Sequence, residues 1–76
     1  MKNIEKNECL TNFGKFVRTG REKRDITQAD AAELLGVTQQ HLSNVELGKR
    51  NIGFTDALEI CKALKLDVRD FIETYM

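Results

Sequence analysis

The sequence predicts an all-α fold, a compact domain of five short helices, and three observations lead to this prediction. The 76 residues contain no proline. No segment alternates between apolar and polar residues for long, whereas apolar residues recur at intervals of three, four and seven positions. The length suits one small domain, so we expect residues 1–76 to form a single domain with its core at about 9–75.

Apolar spacing and capping residues define the first two helices. The first is predicted over about residues 9–24 from three apolar residues at i, i+3 and i+7: Leu10, Phe13 and Val17. Gly20 lies inside this helix, where glycine costs about 1 kcal/mol relative to alanine. Thr27 and Asp30 have the spacing of a capping box, which begins a second helix that Gly36 is suited to end.

The third helix follows after a very short connection. Thr38 is the expected N-cap, Leu42 and Val45 are expected core residues, and Gly48 closes the helix. Only residues 36–38 separate the second helix from the third, which is the length of the tight turn in a helix-turn-helix. In that motif the second helix presents its N-terminal end outward. An ordinary small helical bundle with a short connection is the alternative.

The last third of the chain predicts two further helices. The fourth has four apolar residues at helical spacing: Ala57, Ile60, Cys61 and Leu64. Asp67, with Asp70 three positions later, is expected to begin the fifth. Leu66 and Phe71 are expected to close the core.

The composition argues against several classes of protein. No run of about 18 apolar residues could span a membrane, and the first ten residues lack the apolar stretch of a signal peptide. Cys9 and Cys61 are too few for a disulfide framework, so we expect reduced thiols in a cytoplasmic protein. His41 has no Cys or His at ligand spacing, so no metal or cofactor is expected. A catalytic cleft would be hard to fit beside so thin a core, so we expect no enzyme.

The net charge is zero, with 12 basic and 12 acidic residues, but the charges are unevenly distributed. Residues 1–24 hold seven basic and three acidic side chains, whereas residues 53–76 hold three basic and five acidic ones. One face could therefore meet phosphates while another avoids them. A solvated surface of mixed charge is the alternative that composition leaves open.

The stretch TQADAAELLGVTQQHLSNVELGKR resembles the helix-turn-helix of the phage repressor and Cro family, whose wider bacterial group is called the Xre family. The resemblance extends over about residues 13–72. The matching positions are Gln28, Ala32, Gly36, Val37, Ser43, Val45, Glu46, Gly48 and Lys49. The resemblance implies a lambda repressor-like domain of five helices that binds operator DNA, usually as a dimer.

The chain also departs from the family pattern. Ala31 stands where a larger apolar residue is usual, Gly20 where leucine is common, and Asp25 where glycine is frequent. The pair Ile52 and Gly53 replaces a common Pro-Ser. We expect three of these departures to thin the core or loosen helix ends, and so to lower stability rather than change the fold.

Four polar side chains are predicted to contact bases. In the family's docking geometry the N-terminal end of the third helix lies in the major groove, where Gln39 and Gln40 begin it. A glutamine amide carries a donor and an acceptor, so it can pair with N6 and N7 of adenine. Ser43 and Asn44 lie one turn further on the face of Gln40. Two solvated glutamines on an exposed turn are the alternative.

The expected phosphate contacts come from residues around this face: Gln28, Thr38, Lys49, Arg50, Asn51 and Arg18. The helix N-terminus at Gln28 favours an anion, and the family resemblance implies a phosphate contact there. The resemblance also implies that Arg21 and Glu46 form a partly buried salt bridge. His41 is expected to be exposed on the DNA side or at its rim. A solvated loop is the alternative for Lys49 and Arg50.

A dimer interface is predicted on the last helix. One helix in the groove touches too few base pairs to select an operator in a genome, whereas two copies on a two-fold axis suffice. The predicted interface is an apolar stripe: Val68, Ile72 and Tyr75, extended by Leu58. The alternative is that this stripe faces the core and Phe71 is exposed.

These patterns together predict a sequence-specific transcription regulator of a bacterium or phage that binds a palindromic operator in double-stranded DNA as a homodimer. The alternative is an antitoxin, which would bind a toxin and also regulate its own gene. A restriction–modification controller is a subtype of the regulator. RNA polymerase is a further candidate partner, and no membrane partner is expected.

Overall fold

A computed structural model describes residues 6–76, which form five α-helices and no strand within that range. The helices are α1 (Lys6–Lys23), α2 (Gln28–Leu35), α3 (Gln39–Glu46), α4 (Phe54–Ala63) and α5 (Val68–Tyr75). The all-α prediction is confirmed. The predicted absence of a signal peptide rests largely on residues 1–5, which lie outside the described residues. Along residues 6–76 no helix combines the length and apolar character that a membrane span requires.

Side chains cap three of the helices at their N-termini. The hydroxyl of Thr27 accepts a hydrogen bond from the Asp30 N–H at 3.1 Å, as the capping-box spacing predicts. Thr38 accepts from the His41 N–H at 3.0 Å in the same way, and Asp67 caps α5. Gly53 precedes α4 without a side-chain cap, so the departure from Pro-Ser does leave this helix end less supported.

Left-handed residues end the helices where the sequence places turns. Gly36 and Gly48 have φ angles of 70° and 74°, as predicted for glycines at these positions. Asp25, which stands where glycine is frequent, still adopts a left-handed φ of 55°. Its N–H donates to the Glu22 carbonyl at 3.0 Å, so α1 is closed by an aspartate. Aspartate tolerates this conformation better than most residues, because its side chain is short and polar.

The core lies between all five helices, and its largest fully buried side chains are Leu42, Leu64, Val17 and Val45. An aromatic cluster joins α1 to α5, with the rings of Phe13 and Phe71 packed edge to face at 5.5 Å. Phe71 is therefore a core residue, and the alternative in which it is exposed is wrong. Cys61 is buried as predicted, and its burial raises the pKa of the thiol.

The predicted stripe on α5 is only partly exposed. Ile72 is 51% exposed and Leu58 on α4 is 39% exposed. Val68 and Tyr75 are half-buried and pack against the core, and the Tyr75 ring lies 5.5 Å from that of Phe71. The prediction that these two residues belong to a separate outward stripe is corrected, because positions i and i+7 lean towards Phe71 on the same short helix.

Gly20 does not thin the core as expected. It is buried, and a Cβ added there would clash with the side chain of Leu66. The space that a larger residue would occupy is therefore filled by Leu66 from the turn before α5. The helix accepts the glycine because another side chain packs over it.

Gly14 sets the closest approach of α1 to α3. A Cβ at this position would lie 2.5 Å from the backbone carbonyl oxygens of both Val45 and Glu46. Backbone atoms of a packed helix cannot turn aside as a flexible side chain can. Glycine at position 14 is therefore required for α1 to lie directly against the last turn of α3.

We predict that Gly14→Ala lowers the free energy of unfolding by about 1–3 kcal/mol, the usual cost of overpacking. The loss should occur although alanine is the better helix former. The matched control is Lys15→Ala on the exposed side of α1, which should change stability by no more than about 0.5 kcal/mol. Urea denaturation measures both, and equal stability of the two variants would contradict the close contact.

Candidate nucleic-acid interface

The α2–α3 unit has the geometry of a helix-turn-helix. Residues 36–38 form the whole connection, and the Val37 N–H donates to the Ala32 carbonyl at 3.0 Å. Ala31 and Ala32 are both buried, which lets the two helices approach closely. Helix α3 packs against α2 and α1, while Gln39 and Gln40 at its N-terminal end remain exposed.

A buried ion pair joins α1 to the end of α3. The Nε and Nη2 atoms of Arg21 donate to the two carboxylate oxygens of Glu46 at 2.8 and 3.1 Å. The side chains are only 10% and 4% exposed, so the pair implied by the family resemblance is present and buried. Arg21 Nη1 also donates to the Ile26 carbonyl at 2.9 Å. The hydrogen bond to Glu46 raises the pKa of Arg21, so the guanidinium remains positively charged.

Gln28 links this ion pair to the first residue of α3. Its Nε2 donates to Glu46 Oε1 at 3.1 Å, and its Oε1 accepts from Gln39 Nε2 at 3.3 Å. Four side chains from α1, α2 and α3 therefore form one hydrogen-bonded row. The row runs from the buried Arg21 outward to the exposed Gln39.

The second predicted base-contacting glutamine has a different partner. Gln40 Nε2 donates to Asn44 Oδ1 at 3.3 Å, one turn further along α3. Gln40 is exposed, whereas Ser43 and Asn44 are half-buried. The structure thus brings the amides of Gln40 and Asn44 onto one face, and Ser43 lines a cleft together with Gln28.

Two of the predicted phosphate contacts border this face. The hydroxyl of Thr38 accepts from the His41 N–H, which leaves its own O–H available as a donor. Arg18 lines a cleft of about 250 Å³ together with Gln28 and Ser43. It also pairs with Glu22 at 3.6 Å, in an exposed i,i+4 contact that is weak enough for an anion to replace.

The residues after α3 lie at the edge of the unit. Lys49, Arg50 and Asn51 are exposed, as a phosphate-contacting loop requires. Arg50 and Asn51 also line a groove of about 320 Å³ between α2, α3 and α4. His41 lies in the same groove and is half-buried rather than exposed, beside two of the predicted phosphate-contacting residues at the rim of the unit.

Three features were missed by sequence reasoning. The family resemblance predicts a phosphate contact for Gln28 and gives no sign that its amide is hydrogen-bonded between Glu46 and Gln39. The Arg24 guanidinium donates to the Lys65 carbonyl at 2.6 Å and ties the end of α1 to the turn before α5, a contact that no sequence pattern indicates. Phe54 is 77% exposed at the start of α4. A large apolar residue four positions before Leu58 was the available signal for an exposed stripe.

Known proteins resemble the chain in sequence and in structure. The helix-turn-helix family model matches residues 17–71. The solved structure of the clp gene regulator ClgR from C. glutamicum is similar at 25% identity with a TM-score of 0.80, over 86% of this chain and 83% of that chain. The restriction-modification controller protein C.AhdI from Aeromonas hydrophila is similar at 26% identity with a TM-score of 0.78, over 90% of this chain and 99% of that chain. No curated protein sequence matches the chain significantly.

We predict that Glu46→Ala lowers the free energy of unfolding by about 3–5 kcal/mol, because the buried Arg21 guanidinium loses its partner. Small domains have about 5 kcal/mol of stability in total, so this variant should be largely unfolded at 37 °C as measured by circular dichroism.

The matched control is Glu22→Ala, which removes a glutamate from the exposed pair with Arg18. Its effect should stay below about 1 kcal/mol. Equal melting of the Glu46→Ala variant and the parent would show that the ion pair does not hold the fold together.

Proposed function

The chain belongs to the helix-turn-helix family and is a DNA-binding transcription regulator, and we propose that it binds a palindromic operator as a homodimer with α3 in the major groove. The membership bears out the family resemblance seen in the sequence. Bacterial DNA lies in the cytoplasm, where we place the protein. The proposal assigns it no enzymatic activity.

The observation that carries the proposal is the pair of exposed glutamine amides at the start of α3. Gln39 and Gln40 are exposed, and each is held by a hydrogen bond to a neighbouring amide. Side chains fixed in this way lose less conformational entropy on binding than freely rotating ones. Each glutamine can offer a donor and an acceptor to an adenine edge, which supports contacts with bases in the major groove.

Groups that suit phosphates flank the amides on both sides. Arg18 and the Thr38 hydroxyl lie beside the start of α3, and Lys49 follows its end. Contacts of this kind fix the register of a protein on the duplex without selecting a sequence. The five acidic side chains of residues 53–76 lie on α4, on α5 and at the N-cap of α5, and none of them lies on α2 or α3.

The exposed apolar residues of α4 and α5 support a homodimer. Phe54 and Leu58 lie four positions apart on α4, and Ile72 is half-exposed on α5. We assign these three residues to the interface with a second copy. Val68 and Tyr75 pack on the core, and the proposed interface leaves them out.

A restriction–modification controller is the second candidate, as a subtype of the regulator. The similarity to the controller protein C.AhdI extends over 99% of that chain, so the two chains match almost end to end. A controller would bind DNA upstream of a neighbouring restriction gene. Measuring the binding of the protein to the genomic DNA that flanks its own gene tests this candidate. A toxin or RNA polymerase as partner stays a prediction.

We predict that Gln40→Ala weakens binding to the best operator by about 1–3 kcal/mol per site and leaves binding to random duplex nearly unchanged. The matched comparison is Lys49→Ala, which should weaken all sequences similarly and lower the slope of log affinity against log salt by about one. Fluorescence anisotropy on an operator selected from random duplex DNA measures both. Parallel losses of Gln40→Ala on operator and random duplex would remove this residue from base contact.

We predict that Ile72→Asp and Phe54→Asp each leave the chain folded but convert a dimer into a monomer, because a charge would be buried at the interface. Sedimentation velocity measures the mass and circular dichroism the helix content. Leu34→Asp on α2, where leucine is 61% exposed, is the control and should remain dimeric. A dimer that survives both interface variants would place the contact elsewhere.

A further inference from the structure

We propose that Glu46 is a positioning residue that sets the base preference of Gln39 by fixing the direction of the Gln28 amide. The inference rests on the proposed function, in which Gln39 contacts a base. The direction of donors and acceptors along the hydrogen-bonded row, which begins at the buried ion pair, determines which base Gln39 prefers.

The direction of the row is set at its buried end. A carboxylate only accepts hydrogen bonds, and both oxygens of Glu46 already accept from Arg21. The Gln28 group facing Glu46 must therefore be its NH₂, and Nε2 donates to Oε1 at 3.1 Å. The opposite orientation would place the Gln28 carbonyl oxygen against a buried carboxylate, which is repulsive. Gln28 is thus held with its Oε1 facing Gln39.

The outward end of the row inherits this direction. Gln28 Oε1 accepts one N–H of Gln39 at 3.3 Å. The Gln39 amide is left with one N–H and its carbonyl oxygen, which match N7 and N6 of adenine. If Gln28 presented a donor instead, the Gln39 carbonyl would turn inward and both N–H bonds would face the groove. Two donors match O6 and N7 of guanine, as they do for lysine.

Gln40 provides a contrast within the same helix. Its partner is Asn44, whose amide can accept or donate, and no charged group holds that amide among the hydrogen bonds of residues 6–76. The Gln40–Asn44 pair can reverse without leaving a buried group unpaired. We therefore expect a strict preference for adenine at the operator position that Gln39 contacts. The preference for adenine at the position that Gln40 contacts should be weaker.

The test replaces Gln28 while leaving Glu46 in place. In Gln28→Lys the ammonium group has only donors, so it keeps the contact with Glu46 and offers an N–H to Gln39. We expect the preferred base under Gln39 to change from adenine to guanine by roughly fivefold or more. Gln28→Met has no donor or acceptor for Gln39 and should leave adenine and guanine nearly equal. Thermal melts check that both variants remain folded.

Selection from random duplex DNA, followed by competition between adenine and guanine operators, gives the readout. The double variant Gln28→Lys with Gln39→Ala should lose the guanine preference, because the lysine acts through Gln39. A guanine preference that persists in it would show that the lysine contacts the base itself and would overturn the proposal. An unchanged adenine preference in Gln28→Lys would also overturn it.

A separate variant distinguishes this failure from failure of the proposed function. Gln39→Ala alone should erase the preference at one position of the operator. If Gln39→Ala changes no position, Gln39 does not contact a base, and the proposed function loses that contact. If Gln39→Ala erases a preference that Gln28→Lys leaves as adenine, the base contact stands, and the orienting role of Gln28, and with it that of Glu46, is wrong.

Discussion

The ion pair between Arg21 and Glu46 is the interaction on which the arrangement of the helices depends. It joins the end of α1 to the last turn of α3, and a third hydrogen bond from Arg21 fixes the loop at Ile26. A buried pair contributes little net stability over apolar packing, yet losing one partner is costly. Its value here is geometric, because the same carboxylate also holds Gln28 and through it the exposed Gln39.

The small core makes this geometry sensitive to close packing. Gly14 lets α1 lie against the carbonyls of α3, and Ala31 and Ala32 allow α2 to cross α3. Small residues at these crossings let the short helices approach closely. Close contact matters here because a domain of this length buries only about 60% of its unfolded surface. The exposed amides of α3 are therefore positioned by backbone contacts as well as by hydrogen bonds.

Local features of the fold could be predicted, whereas features that depend on distant contacts could not. Thr38 and Gly36 act within a few residues, so capping and turn rules place α2 and α3 well. The Arg21–Glu46 pair spans 25 positions and followed only from the family pattern. No local sequence pattern indicates that Leu66 packs over Gly20. Nor does one indicate that Tyr75 packs against the core, which leaves fewer exposed apolar residues in the predicted dimer stripe. The bridge that Gln28 forms between Glu46 and Gln39 depends on where Glu46 lies, and the packing of α1 on α3 determines that position.

The central claim is that α3 presents Gln39 and Gln40 to base edges, with the buried pair holding Gln39 through Gln28. A crystal structure of the protein with an operator selected from random duplex DNA tests it most directly. We expect the N-terminal end of α3 in the major groove, with the Gln39 and Gln40 amides within hydrogen-bond distance of adenine N6 and N7 and the Arg21–Glu46 pair intact. A complex in which another helix enters the groove, or in which both amides contact only solvent, would contradict the account.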